Sequence, residues 1–346
     1  MNFPLHIYQE SELKHYLRKR KGETKLGEKV TILHSNNEQN LKEELSKNKS
    51  KFVLLGLPED VGVRANYGRG GAYSAWQPAL TSFLSTQSNS FLSGEEILLL
   101  GHINFDEAMK AADALNIKKQ ADVETMRSIV AQIDEKVSTV IQTILEAGKI
   151  PIVIGGGHNN AYGCIKGSSL ATNKPINVVN SDAHTDFRAL EGRHSGNGFS
   201  YAFEQNYMQK YSVVGLHESY NSNTIFEAFE KNKSRLHFTT YEQIFIREEI
   251  EFKQALKASL DFVKNETCGL EIDLDTIQNI PSSAKTSSGI SALQGRQYIS
   301  YFAKNANICY LHIAEGAPVL SHIKTDNKTG KLIAYLISDF VKAYKD

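Results

Sequence analysis

The sequence is poor in cysteine and has no long apolar run. Its three cysteines, Cys164, Cys268 and Cys309, are scattered, each in or beside an apolar segment. An odd number of distant cysteines argues against a disulfide framework, and we expect buried thiols in a reducing compartment. No apolar run approaches the roughly eighteen residues that a membrane-spanning helix needs, and the amino terminus lacks a basic region followed by an apolar one. These absences predict a cytoplasmic protein with no membrane partner.

Net charge is also absent, because Lys plus Arg and Asp plus Glu both number 39. A balanced chain has no long-range attraction to nucleic acid or to an anionic lipid surface. The basic cluster at residues 14–22 is typical of a solvated helix end, since no wider basic surface accompanies it. Apolar residues make up 41% and charged residues 23% of the chain. That composition is ordinary for a folded protein and argues against disorder.

Short apolar runs alternate along the chain with longer stretches of helical periodicity. Strands are predicted at residues 51–56, 96–101, 151–154, 176–179, 212–215, 268–273 and 308–312. Helices are predicted near residues 72–84, 123–147, 224–231, 246–264, 290–304 and 331–345. This alternation predicts a three-layer α/β fold, with helices on both faces of a mainly parallel sheet. No linker or internal repeat divides residues 51–346, so we predict one catalytic domain there and an amino-terminal extension, residues 1–50, packed on it.

The segment Asp182-Ala-His184-Thr-Asp186 directly follows a predicted strand. Sites in such sheets lie outside the carboxyl ends of the strands. There, alternation turns Asp182 and His184 to one face, and the departing chain can bring Asp186 back towards them. Two carboxylates and an imidazole crowded together would repel and desolvate one another, so a divalent cation between them is the simplest explanation. For this segment alone, a merely solvated polar loop is the alternative.

Two other strand ends offer nitrogen or oxygen ligands. His158 follows the glycine run at residues 155–157. In Glu271-Ile-Asp273-Leu-Asp275, alternation places three acids on one face of one strand, where their repulsion requires a counter-cation. The glycine turn before His158 could instead cradle a phosphate at a helix start. No Lys-Ser/Thr pair or nucleotide fingerprint accompanies it, which disfavours that role.

Two histidines and four aspartates exceed the usual protein complement of one metal ion. They suit a pair of divalent ions that share bridging carboxylates. Ions about 4 Å apart would hold a bridging water, lower its pKa and deliver hydroxide to a planar carbon. The pattern therefore predicts hydrolysis. A phosphoesterase that uses two metals is a rival, disfavoured by the lack of a convincing phosphate loop.

With these motifs the sequence resembles the ureohydrolase superfamily of arginase, agmatinase and formimidoylglutamase, from about residue 52 to residue 340. The resemblance is carried by the Gly-Gly-x-His turn and by the Asp-Ala-His-Thr-Asp and Asp-Leu-Asp segments. It implies an arginase-like fold, a homotrimer or hexamer, and two manganese ions, although other divalent ions suit the same donors.

The resemblance also implies a division of the ligands between two ions. One ion would be held by His158 and Asp186 and the other by His184 and Asp275, with Asp182 and Asp273 bridging. Asp275 would in addition orient the attacking hydroxide.

Glu315, in Ala-Glu-Gly-Ala-Pro after the last predicted strand, matches the acid of this superfamily that pairs with amidine or guanidine nitrogens. An exposed loop acid is the alternative. Asp186-Phe-Arg188 looks like formimidoylglutamase, in which a basic residue replaces an asparagine of arginase, and the loop with Asn66 and Arg69 is similar to the loop of the same enzymes. Guanidinium pairs bidentately with carboxylate, so these arginines suit a dicarboxylic substrate. A structural ion pair is the alternative for either arginine.

Ser195 and Asn197 match arginase positions that hold the amino-acid end of the substrate. Phe199 stands where arginase has a proton-shuttling histidine. His194, in the same loop, is the candidate for the missing imidazole.

The sequence thus predicts a dimanganese hydrolase of linear amidines with a small-molecule substrate. The expected reaction converts N-formimidoyl-L-glutamate to L-glutamate and formamide by attack of a metal-bridging hydroxide. A guanidine substrate such as arginine, which would yield urea, is the runner-up. A non-catalytic metal-binding protein on the same fold is the remote alternative.

Overall fold

The computed structural model describes residues 5–17, 19–33, 40–322 and 327–344. Within these ranges the chain forms one sheet of nine strands. The strands are β1 (Leu5–Ile7), β2 (Phe52–Gly56), β3 (Ile97–Ile103), β4 (Ile150–Ile154), β5 (Ile176–Ser181), β6 (Met208–Leu216), β7 (Leu236–Thr240), β8 (Cys268–Asp273) and β9 (Ile308–Ala314).

The spatial order of the strands is β1-β3-β2-β4-β9-β8-β5-β6-β7. Neighbouring strands run parallel except β1, which pairs antiparallel with β3. In β2, Phe52 and Leu54 pack into one apolar cluster while Val53 and Leu55 pack into another on the opposite face. Because both faces are buried, the central strands are largely apolar, and this is why their runs are visible in the sequence.

Helices cover the two faces of the sheet. They are α1 (Glu10–Tyr16), α2 (Leu41–Lys47), α3 (Val61–Ala65), α4 (Trp76–Leu84), α5 (Asp106–Asp113), α6 (Gln120–Glu146), α7 (Asn160–Thr172), α8 (Gly198–Glu204), α9 (Asn223–Lys231), α10 (Tyr241–Phe245), α11 (Phe252–Val263), α12 (Ala292–Asn305) and α13 (Lys328–Ala343). Helices α4, α11, α12 and α13 contribute to one cluster, and α2, α6, α7 and α8 to the other. The predicted three-layer α/β fold with a mainly parallel sheet is confirmed.

The single helix predicted at residues 246–264 is wrong in its first part. Helix α10 ends at Phe245 and α11 begins only at Phe252. Glu248 lies between them with φ of 52°, a left-handed conformation that no continuous right-handed helix contains. Glu251 is the N-cap residue of α11, and its backbone N–H donates to Oε1 of Gln254 at 3.0 Å. The predicted carboxyl-terminal helix is present as α13, and residue 345 of that prediction lies outside the described residues.

Several short elements were not predicted, among them β1, β7, α2, α3, α5, α8 and α10. Strand β1 has only three residues, and the edge strand β7 mixes polar and apolar residues. Helix α3 lies inside the segment that we interpreted as a glycine-rich loop. Elements this short have too few residues for a periodic signal, and their packing against neighbours decides their conformation.

Strand β1 covers the outer edge of β3, with His6 opposite His102. A close backbone approach makes this possible: a Cβ atom built on Gly101, whose φ is 131°, would lie 1.9 Å from the carbonyl oxygen of His6. Glycine is therefore required at this position. The division of the chain at residue 50 stays a prediction, but Leu5–Ile7 belong to the same sheet as the later strands.

All three cysteines are buried and free, which confirms the predicted thiols. Among the described residues, no helix combines the length and the apolar character that crossing a bilayer would need.

Strands β4, β9, β8 and β5 are neighbours at the centre of the sheet. Their carboxyl ends lead directly into four of the candidate residues: His158 after β4, Glu315 after β9, Asp273 at the end of β8 and Asp182 after β5. Adjacent strands lie about 4.8 Å apart. Parallel pairing therefore brings together residues that are up to 157 positions apart in the sequence.

Candidate metal centre

A glycine turn at the end of β4 presents His158. Gly155 and Gly156 have φ of 90° and 72°, and a Cβ on Gly156 would lie 2.3 Å from Nδ2 of Asn160. The buried carboxylate of Glu59 accepts hydrogen bonds through Oε1 from the backbone N–H of Gly157 at 3.2 Å and from Nδ2 of Asn160 at 2.6 Å. These contacts fix the turn on the sheet and thereby set the position of the His158 ring.

The His158 ring is fully buried and one edge of it faces three carboxylates. Its Nδ1 atom lies 3.2 Å from Asp182, 3.0 Å from Asp186 and 3.2 Å from Asp273. One ligand atom from each of these four residues lies within 4.8 Å of the others. His158 and three aspartates therefore form one compact group of potential metal ligands.

A second group lies beside the first. Nδ1 of His184 is 3.5 Å from Asp182 and 3.2 Å from Asp275. Asp182 belongs to both groups, with Oδ2 towards His158 and Oδ1 towards His184. A carboxylate with one oxygen in each group has the arrangement expected of a bridging ligand.

Asp275 reaches this group by a different route from the predicted one. Strand β8 ends at Asp273, and residues Leu274–Thr276 form a 3₁₀ turn in which the backbone N–H of Asp275 donates to Oδ1 of Asp273 at 2.7 Å. The turn, and not strand alternation, places Asp275 beside His184. The prediction that Glu271, Asp273 and Asp275 share one face of a single strand is therefore wrong for Asp275.

The groups present fit divalent cations. Burial alone would lower the pKa of His158, but the adjacent carboxylates of Asp182, Asp186 and Asp273 raise that pKa well above its usual value. Burial raises the pKa of Asp186 to about 6, and the neighbouring Asp182 charge adds to the effect. Nδ1 of His158 and Oδ1 of Asp275 are buried without a hydrogen-bond partner among the described residues. Four crowded carboxylates and unsatisfied buried donor atoms are the features that bound cations compensate.

Two non-glycine residues of the site have a left-handed backbone. Asp186 has φ of 45° and Glu315 has φ of 62°. Such conformations cost free energy in residues other than glycine and concentrate at functional sites. At Glu315 the conformation is held by the backbone N–H, which donates to the carbonyl oxygen of Gly156 at 3.0 Å.

The Glu315 side chain is buried and points towards the ligand groups. Oε1 accepts a hydrogen bond from the backbone N–H of His158 at 2.8 Å, and Oε2 accepts one from the hydroxyl of Ser283 at 3.3 Å. Burial raises the pKa of Glu315 to about 8. Its burial argues against the exposed loop acid that we considered as the alternative for Glu315.

A cavity of about 390 Å³ opens above the ligand groups. Its walls combine acidic ligand residues with residues of three loops, including Asn66, His184, Asp186, Arg188, Ser195, Tyr220, Asn221, Asp273, Asp275, Ser283 and Glu315. The cavity is large enough for a small molecule. Its floor is the candidate metal centre.

The three predicted substrate contacts Arg188, Asn66 and Ser195 meet on one wall of this cavity. Nη1 of Arg188 donates to Oδ1 of Asn66 at 2.6 Å, and Nδ2 of Asn66 lies 3.3 Å from Oγ of Ser195. Nη2 of Arg188 also contacts Glu191 at 3.3 Å, but half of the arginine side chain stays exposed. The structural ion pair that we considered for Arg188 is thus present without removing the arginine from the cavity wall.

Arg69 lies apart from Arg188. It lines a second cavity of about 440 Å³ that shares His184, Tyr220 and Ser283 with the first. Lys285 and His322 also line this second cavity, and none of its lining residues in the described part of the chain is Asp or Glu. The two arginines are therefore near the same opening but on different walls.

His194 and Asn197 do not line either cavity. The His194 ring is buried, with Nδ1 accepting from the backbone N–H of Gly196 at 3.1 Å and Nε2 lying 3.1 Å from Glu191. Burial lowers its pKa to about 4. Asn197 is also buried, and its Nδ2 donates to the carbonyl oxygen of Gly192 at 2.8 Å. Both side chains hold their own loop together, an arrangement that does not favour proton transfer by His194 or substrate contact by Asn197.

Phe199 packs against the metal centre from below. Its ring meets the His158 ring edge-on at 5.2 Å and stacks on Tyr211 at 4.4 Å. The Phe199 ring is therefore an apolar packing surface for His158, and it does not line either cavity.

Two features of the cavity were missed by the sequence analysis. Tyr220 stacks on His184 with 5.4 Å between ring centroids and lines both cavities. Glu59 anchors the glycine turn through the hydrogen bonds that its carboxylate accepts from Gly157 and Asn160. Neither lies in a motif, and only the folded structure brings them to the site.

Sequence comparisons give two relatives of similar identity. Formimidoylglutamase of Streptococcus gordonii is 28% identical over 252 residues, which cover 70% of this chain and 68% of that protein. Formimidoylglutamase of Streptococcus pyogenes serotype M3 is 28% identical over 295 residues, which cover 82% of this chain and 75% of that protein.

Comparisons of structure and of family give a consistent result. Formimidoylglutamase from Bacillus subtilis superimposes with a TM-score of 0.72 at 17% identity, over 97% of this chain and 98% of that one. Trypanosoma cruzi formiminoglutamase with Mn²⁺ superimposes with a TM-score of 0.68 at 18% identity, over 93% of this chain and 98% of that one. These likenesses show a common fold. The sequence model of the Arginase family matches residues 87–342, most of the chain, and the chain therefore belongs to the arginase family.

Proposed function

We propose that this chain is a two-metal hydrolase of linear amidines that converts N-formimidoyl-L-glutamate to L-glutamate and formamide. One observation carries the proposal: two groups of His and Asp ligands share Asp182 at the floor of a cavity whose walls hold both an acid, Glu315, and a cation, Arg188. The formimidoyl group and the side-chain carboxylate lie at opposite ends of this substrate and would match these two walls. The proposed catalytic domain, residues 51–346, would contain the whole site.

The metal ions would be two manganese ions. His158, Asp186, His184 and Asp275 would hold them, with Asp182 and Asp273 between them. When bound, such a pair supplies an activated water and neutralises charge that develops at the amidine carbon. Support for manganese comes from the donor set, which suits manganese among other divalent ions, and from the crystal structure of Trypanosoma cruzi formiminoglutamase with Mn²⁺.

Glu315 would bind the amidine end of the substrate. Its Oε1 is already engaged by the N–H of His158, but Oε2 has only the long contact of 3.3 Å with Ser283 and faces the cavity. A carboxylate here can accept a charge-assisted hydrogen bond from an amidinium nitrogen. Asp275, with Oδ1 unpartnered among the described residues, would orient the attacking oxygen from the other side.

The two carboxylates of the substrate, one beside the formimidoyl nitrogen and one at the end of the side chain, would carry its negative charge. Arg188, Asn66 and Ser195 have hydrogen-bond donors on the cavity wall, and together they offer one binding site for a carboxylate. Arg69 and Lys285 offer a second in the adjoining cavity, where the described residues of the lining include no acid. A dicarboxylic amidine would use both, whereas the cationic agmatine, or arginine with its ammonium group, would meet unfavourable charge there.

The experiment is a product assay of manganese-loaded protein with a substrate panel. N-formimidoyl-L-glutamate is expected to release formamide, while arginine and agmatine are expected to release little urea. Urea from arginine at a comparable kcat/KM would replace this substrate by a guanidine. Binding of two Mn²⁺ with no turnover of any amidine or guanidine would point to a non-catalytic protein.

A further inference from the structure

A second buried polar cluster lies behind His158, on the side away from the aspartates. We call it the Glu271 cluster; it consists of Glu271 on β8 and of Tyr310 and His312 on β9. All three side chains are fully buried. Glu271 and His312 are register partners on neighbouring strands, so the two strands bring them together. None of the three lines either cavity at the metal centre, and none has a part in the proposed reaction.

The Glu271 carboxylate is held from two sides. The hydroxyl of Tyr310 donates to Oε1 at 2.8 Å, and Nδ1 of His312 lies 2.7 Å from Oε2. The other ring nitrogen of His312, Nε2, lies 3.3 Å from the carbonyl oxygen of Gly155. Both nitrogens of His312 thus face oxygen acceptors, and the ring links Glu271 to the glycine turn that carries His158.

The Glu271 carboxylate also lies near Nε2 of His158, the ring nitrogen on the side away from the aspartates. Oε2 of Glu271 lies 3.4 Å from Nε2 of His158, within ion-pair distance, and Nε2 is buried with no hydrogen-bond partner among the described residues. Nδ1 of His158 faces Asp182, Asp186 and Asp273. An imidazole that binds a metal through Nδ1 must carry its hydrogen on Nε2, which then needs an acceptor.

We propose that Glu271, held by Tyr310 and His312, is a positioning residue that orients His158 and keeps its Nδ1 lone pair directed at the metal centre. The inference rests on the proposed metal centre but not on the identity of the substrate. A carboxylate behind a metal-bound histidine fixes the ring orientation and strengthens the ligand, and its loss typically weakens metal binding by about 10- to 100-fold.

The chain offers a matched control for this cluster. Tyr298 is as buried as Tyr310, and its hydroxyl donates to the backbone carbonyl oxygen of Glu271 at 3.0 Å. Tyr310→Phe removes a hydrogen bond to the carboxylate, whereas Tyr298→Phe removes one to the backbone of the same residue. Each variant loses one hydroxyl from the same part of the core, so a general effect of packing would be similar in both.

The test is a calorimetric titration of the metal-free proteins with MnCl₂, with unfolding temperatures of the metal-free proteins as a check on folding. Glu271→Gln keeps the shape of the side chain but removes its charge, and is expected to weaken Mn²⁺ binding about 10- to 100-fold. Tyr310→Phe is expected to weaken it several-fold, and Tyr298→Phe to leave it within about twofold. If Glu271→Gln does not fold, the two tyrosine variants decide the question between themselves.

Equal Mn²⁺ affinity in the wild type and in every folded variant would overturn the inference. So would a third Mn²⁺ per chain that Glu271→Gln abolishes, because Glu271 would then be a ligand itself. A wild-type protein that binds two Mn²⁺ but turns over no amidine would reject the proposed reaction and leave the role of Glu271 standing. Nitrogen-15 spectra of the histidines provide a second readout, since Glu271→Gln is expected to shift the His158 ring resonances and Tyr298→Phe is not.

Discussion

His158 is fully buried and His102 is partly buried, both at the same sheet, and the two imidazoles have opposite shifts in pKa. His158, after β4, faces three carboxylates, and they raise its pKa well above the usual value. His102, near the end of β3, packs between the rings of His6 and Tyr8 at 4.9 and 5.6 Å, and its Nδ1 has no hydrogen-bond partner among the described residues. Burial lowers the pKa of His102 to about 4, and His6 adds to the effect.

The contrast shows what defines the metal centre. A buried histidine is common, and by itself it loses its charge. The unusual feature at His158 and His184 is an excess of acid, with four aspartates around two imidazoles. Near His102 the acids Asp106 and Glu12 act only through weak, long-range attraction. An excess of buried negative charge, and not the histidine, is therefore the evidence for a cation.

The largest effect is expected from removing the negative charge of Asp182, one of the four aspartates around His158 and His184. Asp182→Asn keeps the shape of the shared ligand but removes its charge from both groups. We expect loss of both metal ions and a loss of activity of several kcal/mol, roughly 10³-fold or more. Elemental analysis and the increase in unfolding temperature on adding Mn²⁺ measure the first effect, and the formamide assay measures the second.

Asp106→Asn is the matched control, because it removes an exposed acid near His102. It is expected to keep the wild-type response to Mn²⁺. Retention of two ions by Asp182→Asn would contradict the bridging role.

The next largest effect is expected at Glu315, which lies in the acidic cavity but is not a metal ligand. Glu315→Gln is expected to lower kcat about 10²- to 10³-fold, as for the loss of one group that stabilises the transition state. Because the ligand set is intact, two Mn²⁺ should still bind, and this separates Glu315 from Asp182. A metal content that falls together with kcat would show that Glu315 acts through the ligands.

A smaller effect is expected on the cationic wall. Arg188→Ala is expected to raise KM for N-formimidoyl-L-glutamate about 10- to 100-fold, since a hydrogen bond to a charged group contributes about 1.5–3 kcal/mol. The change in kcat should be small. Arg247→Ala is the control, because Arg247 is an exposed arginine paired with Glu218 and Glu249 and lines neither cavity at the metal centre. An unchanged KM in Arg188→Ala would assign that arginine to its ion pair with Glu191 alone.

The smallest effect is expected at His102 and concerns stability. The pKa of His102 is about 4 in the folded chain and about 6.5 when unfolded. As the pH falls from 6.5 towards 4, the unfolded chain takes up a proton that the folded chain does not, so the free energy of unfolding decreases. His102→Gln removes this contribution and should lose less stability between pH 7 and pH 5, by about 1 kcal/mol once partial exposure is allowed for.

Urea unfolding of both proteins at the two pH values, in the presence of a chelator, measures this difference. The chelator keeps the metal centre in the same state in both proteins. Equal losses of stability in the wild type and His102→Gln would show that His102 titrates normally.

The central strands and the long helix α6 could be predicted because their signals are local. Ile97–Ile103 is apolar on both faces, and α6 repeats apolar residues over roughly six turns. The candidate ligands could be proposed for a related reason, since Asp182, His184 and Asp186 are close in sequence and follow a recognisable strand. His158, Asp273 and Asp275 were candidates because they lie at other predicted strand ends, and the family resemblance then divided the six residues between two ions.

What could not be predicted depends on neighbours that the sequence does not specify. Glu271 was grouped with Asp273 and Asp275 as a third acid of one strand face, but β9 lies beside β8 and gives it His312 and Tyr310 as partners. His194 was the candidate for the missing proton-shuttling imidazole, but its ring points into its own loop and away from the cavity. Strand order and side-chain direction are properties of the tertiary structure, and they decided both cases.

Strand β1 has a consequence for the behaviour of the protein in solution. Without Leu5–Ile7, β3 would be an edge strand with unpaired amide and carbonyl groups. An exposed edge strand can pair with strands from other molecules. Gly101 makes the closure possible by admitting the His6 backbone. A bulky residue at Gly101, or removal of the first eight residues, would thus favour fibrous or amorphous self-association even in a chain whose chemistry was untouched.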